Sequence, residues 1–126
     1  RNAAALGVAG RATLRPGDWR AGERGGFALA VANPPYLSDA DMAALDPETR
    51  AEPALALHGG ADGLDAYRAI AAALPATLAP GGAAMLEVGV GQAGPVAALL
   101  RAAGLDRIET RRDMDGRERI LRAQRP

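Results

Sequence analysis

The chain has 126 residues, of which 48% are hydrophobic, which is enough for one domain with a core and too few for two domains. Fifteen basic and fifteen acidic residues give a formal net charge of zero. This balance argues against a protein that binds nucleic acid non-specifically or binds the surface of an anionic membrane. Without cysteine there is no disulfide or thiolate chemistry, and the single histidine, His58, argues against a histidine metal site or a Ser-His-Asp triad. No apolar run reaches the roughly 18 residues of a spanning helix, and no signal peptide is visible, so we expect a cytoplasmic domain.

Strand and helix signals alternate along the chain. The predicted elements, in order, are a helix end over 1–7 closed by Gly7, a strand over 11–15, a strand over 27–32, a short helix over 38–46 capped by Ser38, a long loop over 47–63, a helix over 64–78, a strand over 83–89, a helix over 95–104 and a hairpin around Asp115-Gly116.

This alternation predicts a parallel sheet with helices on both faces, to which the closing hairpin adds an antiparallel strand. The strand over 27–32, FALAVA, is apolar throughout, which is typical of a strand buried on both faces. Such sheets bind ligands at the carboxyl ends of their strands. We therefore expect the chemistry in the loops that follow the strands over 11–15, 27–32 and 83–89.

One of these loops, residues 89–94 or GVGQAG, satisfies G-x-G-x-x-G between a strand and a helix, and Glu109 lies 20 residues after its first glycine. This is the pattern of a dinucleotide-binding fingerprint. However, Pro95 limits the donors of the helix, Glu87 adds negative charge, and the motif lies late in the chain. We interpret the pattern as a turn followed by a helix start.

The second candidate loop is Asn33-Pro34-Pro35-Tyr36, directly after FALAVA. In one interpretation, the two prolines only stop a strand. In the other, the loop presents carbonyl oxygens with few competing donors, because proline has no N–H and a fixed φ. The Asn33 side-chain oxygen and the Pro34 carbonyl would then match the two N–H bonds of a planar –NH2 group, with Tyr36 as a flat wall. Such a loop suits methylation of an amide or an exocyclic amine.

VANPPY at a strand end resembles the motif of S-adenosylmethionine-dependent amino-methyltransferases, which include DNA adenine and cytosine enzymes and protein glutamine N5-methyltransferases. The wider pattern resembles the bacterial release factor glutamine methyltransferases in four further blocks: PGDW, EPALALHGGADGLDAYRAI, LAPGGAAMLEVGVGQ and RRDMDGRERIL. The resemblance covers nearly the whole chain. It implies the C-terminal portion of an α/β, Rossmann-like class I methyltransferase fold with a closing antiparallel hairpin.

The resemblance also implies roles for individual residues. Asn33, Pro34, Pro35 and Tyr36 would bind the substrate glutamine amide, with Asn33, Pro34 and Tyr36 as the catalytic residues. Trp19 would pack against the adenosine of S-adenosylmethionine, Asp18 would accept from the adenine amine, and Asn33 would lie near the methyl donor. No metal is implied.

Three other features receive no assigned role. We interpret His58 as an ordinary loop residue. Glu52-Pro53 matches a block of the family, but a loop that ends a helix explains it equally well. We interpret the arginine-rich tail from Arg101 to Gln124 as a solvated face of the hairpin. A role of this tail in docking a protein substrate is the weaker alternative.

The family's glycine-rich cofactor loop and acidic ribose ligand, which follow its first two strands, do not precede residues 1–7. We therefore expect residues 1–126 to be the C-terminal part of a catalytic domain, without its first two strands and N-terminal domain, and to bind the cofactor poorly and be inactive alone. In the family, those strands lie between the ones predicted over 11–15 and 27–32, so their loss would expose backbone groups.

The resemblance implies a cytoplasmic enzyme, monomeric in full length, that methylates a glutamine amide in a peptide chain release factor. It implies no membrane partner and no direct nucleic-acid contact. The alternatives are a ribosomal-protein glutamine methyltransferase, a DNA adenine N6-methyltransferase, and a non-catalytic or dinucleotide-binding fragment.

Overall fold

The structure is a computed structural model that describes residues 1–19 and 25–126. Its α-helices and strands are α1 (Asn2–Ala5), β1 (Phe27–Ala32), α2 (Asp39–Ala43), α3 (Ala54–Leu57), α4 (Asp65–Thr77), β2 (Leu78–Glu87), α5 (Ala93–Ala102), β3 (Asp106–Arg112) and β4 (Glu118–Gln124). Short 3-10 turns span Ala9–Arg11 and Thr49–Ala51. In the described residues, none of the helices combines the length and apolar character that crossing a bilayer requires.

The four strands form one mixed sheet in the order β1-β2-β4-β3. β1 and β2 are parallel, whereas β4 pairs antiparallel with both β2 and β3. The hairpin predicted around Asp115-Gly116 is confirmed, since it joins β3 to β4. Its turn is held by the Asp113 carboxylate, which accepts from the Asp115 and Arg117 N–H groups at 2.9 Å each.

The core lies between one face of the sheet and the helices α4 and α5. Alternate residues of β2 and β4 point into it, and the two helices contribute Tyr67, Leu74, Val96 and Leu100 among others. The buried set continues through the sheet with Ala84, Leu86, Val88, Leu121 and Ala123. This alternation fixes the register, because a slip by one residue would turn these side chains to solvent.

The opposite face of the sheet corrects two expectations. FALAVA is not buried on both faces, since Phe27, Leu29 and Val31 are 45%, 51% and 71% exposed, while Ala30 and Ala32 pack against the core. Within the described residues, the two longer helices also share one face rather than covering both. β1 is at one edge of the sheet, and among the described residues no strand pairs with its outer backbone groups.

The strand predicted over 11–15 is wrong. Ala9–Arg11 is a 3-10 turn, and residues 12–18 form no regular element. An isolated segment gains little from extended geometry, because strand stability comes from cross-strand pairing and burial. No described strand accepts this segment as a neighbour.

Most other elements agree with the sequence. Ser38 caps α2 in a reciprocal arrangement in which its hydroxyl accepts from Asp41 N–H and the Asp41 carboxylate accepts from Ser38 N–H. Gly7 has φ 67° and follows α1, as expected for a helix-ending glycine. The loop over 47–63 is less irregular than expected, since it contains α3 and a 3-10 turn, and β2 begins at Leu78 rather than at residue 83.

Candidate active site

Two loops meet at the carboxyl edge of the parallel strands. Residues 33–36 follow β1 and residues 88–92 follow β2, and parallel strands bring both ends to the same edge. The approach is close, because a Cβ placed on Gly89 would lie 3.0 Å from Cδ2 of Tyr36. The sequence therefore delivers both candidate loops to one place.

A cleft of about 680 Å³ opens beside the 33–36 loop. Its lining among the described residues is Gly17, Asp18, Trp19, Asn33, Pro35, Pro53, Leu55, Ala56, His58, Gly59, Asp65, Ala66 and Ala69. Pockets for small ligands usually have volumes of roughly 300–1,000 Å³. The cleft thus brings together four predicted site residues, Asp18, Trp19, Asn33 and Pro35, from two separate motifs.

The other two residues of the motif lie behind this cleft. Pro34 is among the fully buried side chains, and Tyr36 is half-buried and packs against the core. Neither is among the residues that line the cleft, whereas Asn33 is exposed there.

The loop continues into a short parallel bridge with the segment after α3. Leu37 N–H donates to Leu57 O at 2.9 Å, and Gly59 N–H donates to Leu37 O at 2.8 Å. His58, within this bridge, lies 2.7 Å from Asp39 through its Nε2 and the carboxylate Oδ1, and it also lines the cleft. Nothing in the sequence marks this position except that His58 is the single histidine.

Two buried glycines allow the backbone to close behind the loop. A Cβ on Gly59 would lie 2.9 Å from Pro35 O, and one on Gly63 would lie 2.3 Å from Tyr36 O. Gly63 also has φ 74°, a conformation that side chains rarely adopt. At these two glycines, the loop is therefore packed against bare backbone.

Gln92 joins three segments at this point. Its Nε2 donates to Tyr36 O at 2.9 Å and to Gly63 O at 3.4 Å, and its Oε1 accepts from Gly89 N–H at 3.1 Å. Gln92 is not among the residues predicted from the sequence, which places the start of this helix at residue 95. In the structure Gln92 is the N-cap of α5, a position that favours Ser, Thr, Asp or Asn.

Asp65, which lines the cleft, and the nearby Asp62 are both paired with an arginine. Arg68 contacts both Asp62 and Asp65, and the hydrogen bond from Arg68 lowers the pKa of Asp62 to about 2. Burial raises the pKa of Tyr67, whose hydroxyl donates to Glu87 O at 2.9 Å at the end of β2. In the described part of the chain, no group of three or more His, Cys, Asp or Glu side chains could hold a metal ion.

The G-x-G-x-x-G pattern forms a turn and the start of α5. Gly89 faces Gln92 and Tyr36, Gly91 has φ 81° in open space, and Gly94 lies within the helix. Glu109, the proposed ribose partner in the dinucleotide interpretation, is an exposed residue of β3.

Comparisons with known proteins bear on these findings. No family model matches the chain. It is 53% identical over 126 residues to a release factor glutamine methyltransferase of Rhodospirillum rubrum, covering 99% of this chain and 39% of that protein. It is also 53% identical to the protein of the same name from Cereibacter sphaeroides, of which it covers 45%. The chain thus spans less than half the length of these relatives.

A solved structure shows the same likeness. The release-factor-specific protein-(glutamine-N5) methyltransferase from Alicyclobacillus acidocaldarius is 31% identical, with a TM-score of 0.50 over 79% of this chain and 49% of that chain. The resemblance predicted from VANPPY and the four accompanying blocks is confirmed, and the mixed sheet with its packed helices agrees with a Rossmann-like methyltransferase fold.

Proposed function

We propose that this chain, a homologue of part of the release factor glutamine methyltransferases, is the C-terminal portion of a class I methyltransferase catalytic domain. The protein would transfer a methyl group from S-adenosylmethionine to the side-chain amide nitrogen of a glutamine in a peptide chain release factor. The observation that carries the proposal is that Trp19 and Asn33, singled out in separate motifs, line one cleft.

The residues of the cleft fit the adenosine end of S-adenosylmethionine. The space of about 680 Å³ is sufficient for a nucleoside, and the Trp19 ring is 43% exposed and available for stacking. Trp19 would pack on the adenosine, Asp18 would accept from its exocyclic amine, and Asn33 would lie at the methyl end. When bound, the cofactor supplies an electrophilic methyl group.

The 33–36 loop would hold the acceptor amide. The side-chain oxygen of Asn33 and the carbonyl of Pro34 would accept the two N–H bonds of the glutamine side chain. These acceptors orient the nitrogen and stabilise the positive charge that grows on it during attack. Pro35 would line the path of the side chain, and Tyr36 would offer the uncovered part of its ring as a flat wall. Since the nucleophile is an amide held by hydrogen-bond acceptors, the reaction does not require a general base with a strongly shifted pKa.

The substrate class can be tested with the natural full-length protein and a labelled methyl donor. Release factor, ribosomal protein and DNA are offered in parallel, and we expect label in the release factor alone. Label in DNA alone would show the assignment to be wrong, and label in ribosomal protein alone would move it to the sister activity.

The site can be tested in the same assay with Asn33→Ala. Removing one preorganised polar group of this kind costs roughly 100-fold or more in turnover. The matched control is Asn2→Ala, at the chain's other asparagine, in the exposed helix α1. If Asn33→Ala and Asn2→Ala retained the same activity, the proposed site would be wrong.

A further inference from the structure

We propose that Gln92 is a positioning residue that ties the 33–36 loop to the turn after β2 and so fixes the acceptor end of the site. This inference rests on the proposed function. Gln92 does not line the cleft, so its effect would pass through the loop that it holds.

The hydrogen bonds of Gln92 use both ends of its side-chain amide. The Oε1 accepts from Gly89 N–H at 3.1 Å, and Nε2 donates to Tyr36 O at 2.9 Å and, at a longer 3.4 Å, to Gly63 O. A primary amide has two donors and one acceptor group, and all three functions are used here. The partners lie 3, 56 and 29 residues away in the chain, so one side chain connects three loops.

The position of Gln92 in α5 supports the same conclusion. It is the N-cap of the helix, yet its side chain makes no capping hydrogen bond. Residues favoured at this position satisfy the free N–H groups of the first helical turn. Gln92 instead turns away from its own helix toward Tyr36, and a departure from a local rule of this kind is expected at functional sites.

The surroundings leave Gln92 little freedom. A Cβ on Gly89 would lie 2.6 Å from Oε1, and a Cβ on Gly63 would lie 2.6 Å from Nε2. Both neighbours are therefore glycines at places where any side chain would displace the amide. The fit on both sides specifies one orientation of the Gln92 side chain.

The loop needs an outside anchor because of its own composition. Pro34 and Pro35 have no N–H with which to tie the backbone to its neighbours. The Tyr36 carbonyl, three residues after Asn33, is where Gln92 holds the loop. A displacement of about 1 Å at a reacting centre can reduce turnover by about 100-fold. Loss of the anchor should therefore reduce turnover more than it affects binding of the methyl donor.

The test compares Gln92→Ala and Gln92→Glu in the natural full-length protein, assayed with release factor. At neutral pH both should lower kcat by about 10- to 100-fold, as expected for residues that orient an active group, with little change in KM for S-adenosylmethionine. Gln92→Glu should recover below about pH 6, because a protonated carboxyl can again donate to Tyr36 O and accept from Gly89 N–H. Each variant is compared with the unmodified protein at the same pH, so that effects of pH common to both proteins cancel.

Gln124→Ala is the matched control. Gln124 also donates through Nε2 to a glycine carbonyl, Gly81 O at 2.9 Å, but at the other end of β2. We expect it to retain the original kcat. An equal loss of kcat in Gln124→Ala and Gln92→Ala would overturn the positioning role, as would a deficit in Gln92→Glu that does not change with pH.

A second readout does not require activity. Amide hydrogen exchange at Gly89 should be faster in Gln92→Ala than in the unmodified protein, because Gln92 Oε1 no longer accepts from the Gly89 N–H. The exchange rate at Gly89 should be unchanged in Gln124→Ala. Unchanged exchange in Gln92→Ala would overturn the inference. If the unmodified protein methylated no substrate, the proposed function would fail, and the exchange of Gly89 would still decide whether Gln92 fixes the loop.

Discussion

Alanine at Gly94 should stabilise the protein and alanine at Gly89 should destabilise it, although both glycines belong to one G-x-G-x-x-G pattern. A Cβ on Gly94 would meet nothing within 4 Å, and the residue lies in helix α5. Replacing a helical glycine by alanine gains about 0.5–1 kcal/mol, because alanine loses less backbone entropy on folding.

At Gly89 the new Cβ would lie 2.6 Å from Gln92 Oε1 and 3.0 Å from Tyr36 Cδ2. Gln92 would have to leave its place and lose its hydrogen bonds to the three loops. Each such bond contributes about 0.5–1.5 kcal/mol net, and one of them is long, so the expected loss is roughly 1–3 kcal/mol. The two variants should therefore differ in stability by about 1.5–4 kcal/mol.

Urea unfolding of both variants would measure this difference as a shift of midpoint at unchanged slope. Titration calorimetry of both variants with S-adenosylmethionine and with a nicotinamide dinucleotide would then show whether either substitution also changes ligand binding. Equal destabilisation of both variants would refute the packing argument. Loss of dinucleotide binding in Gly94→Ala would show instead that the pattern is a dinucleotide-binding fingerprint. Gly91→Ala is a poorer probe, because φ at Gly91 is 81° and alanine there adds backbone strain.

Two further predictions concern the groups around the site. Tyr67→Phe should cost about 1–2 kcal/mol in urea unfolding, because Glu87 O loses its buried donor, and an unchanged midpoint would contradict the hydrogen bond. Asp62 has a folded pKa of about 2 against an ordinary 3.8, so its stabilising pair with Arg68 is complete above pH 3.8 and is lost as the pH falls to about 2. Asp62→Asn should therefore reduce the dependence of stability on pH within this window, and an unaltered dependence would show that the pair contributes nothing.

The elements that the sequence predicted correctly are those in which local chemistry determines the conformation. Asp115-Gly116 provides the glycine that a tight turn requires, with φ 78° at Gly116. Ser38 and Asp41 satisfy each other's backbone N–H groups at the start of α2. In α4, the stripe of Tyr67, Ala71 and Leu74 repeats at helical spacing and is buried. In each case the residues that indicate the element lie within a few positions of one another in the chain.

The failures concern neighbours that a local pattern does not specify. The segment over 11–15 has strand-like composition, but residues 12–18 find no paired strand. FALAVA is apolar on both faces, which indicates what the strand would bury and not which element covers it. In the structure Ala30 and Ala32 meet the core, while Leu29 and Val31 face outward. Strand propensity is largely a response to such context.

The same distinction applies to the candidate site. Asn33 could be predicted from the acceptor chemistry of its loop, and Trp19 from the resemblance of PGDW to the methyltransferase family. Gln92 could not, because its partners lie 29 and 56 residues away and its importance arises only when the loops are brought together. Its one local sign is the choice of glutamine at an N-cap, where it leaves its own helix without a side-chain cap.

The composition of the 33–36 loop and the geometry behind it are linked by one physical requirement. A loop that presents carbonyl acceptors to an incoming –NH2 group is helped by having few N–H donors of its own, and two prolines meet this condition. The same prolines deprive the loop of the hydrogen bonds that would normally hold its backbone. The amide of Gln92, which donates to Tyr36 O, and the close backbone approach of Gly63 hold the loop from outside instead. Changes behind the loop should therefore reduce turnover even where no residue of the cleft is altered.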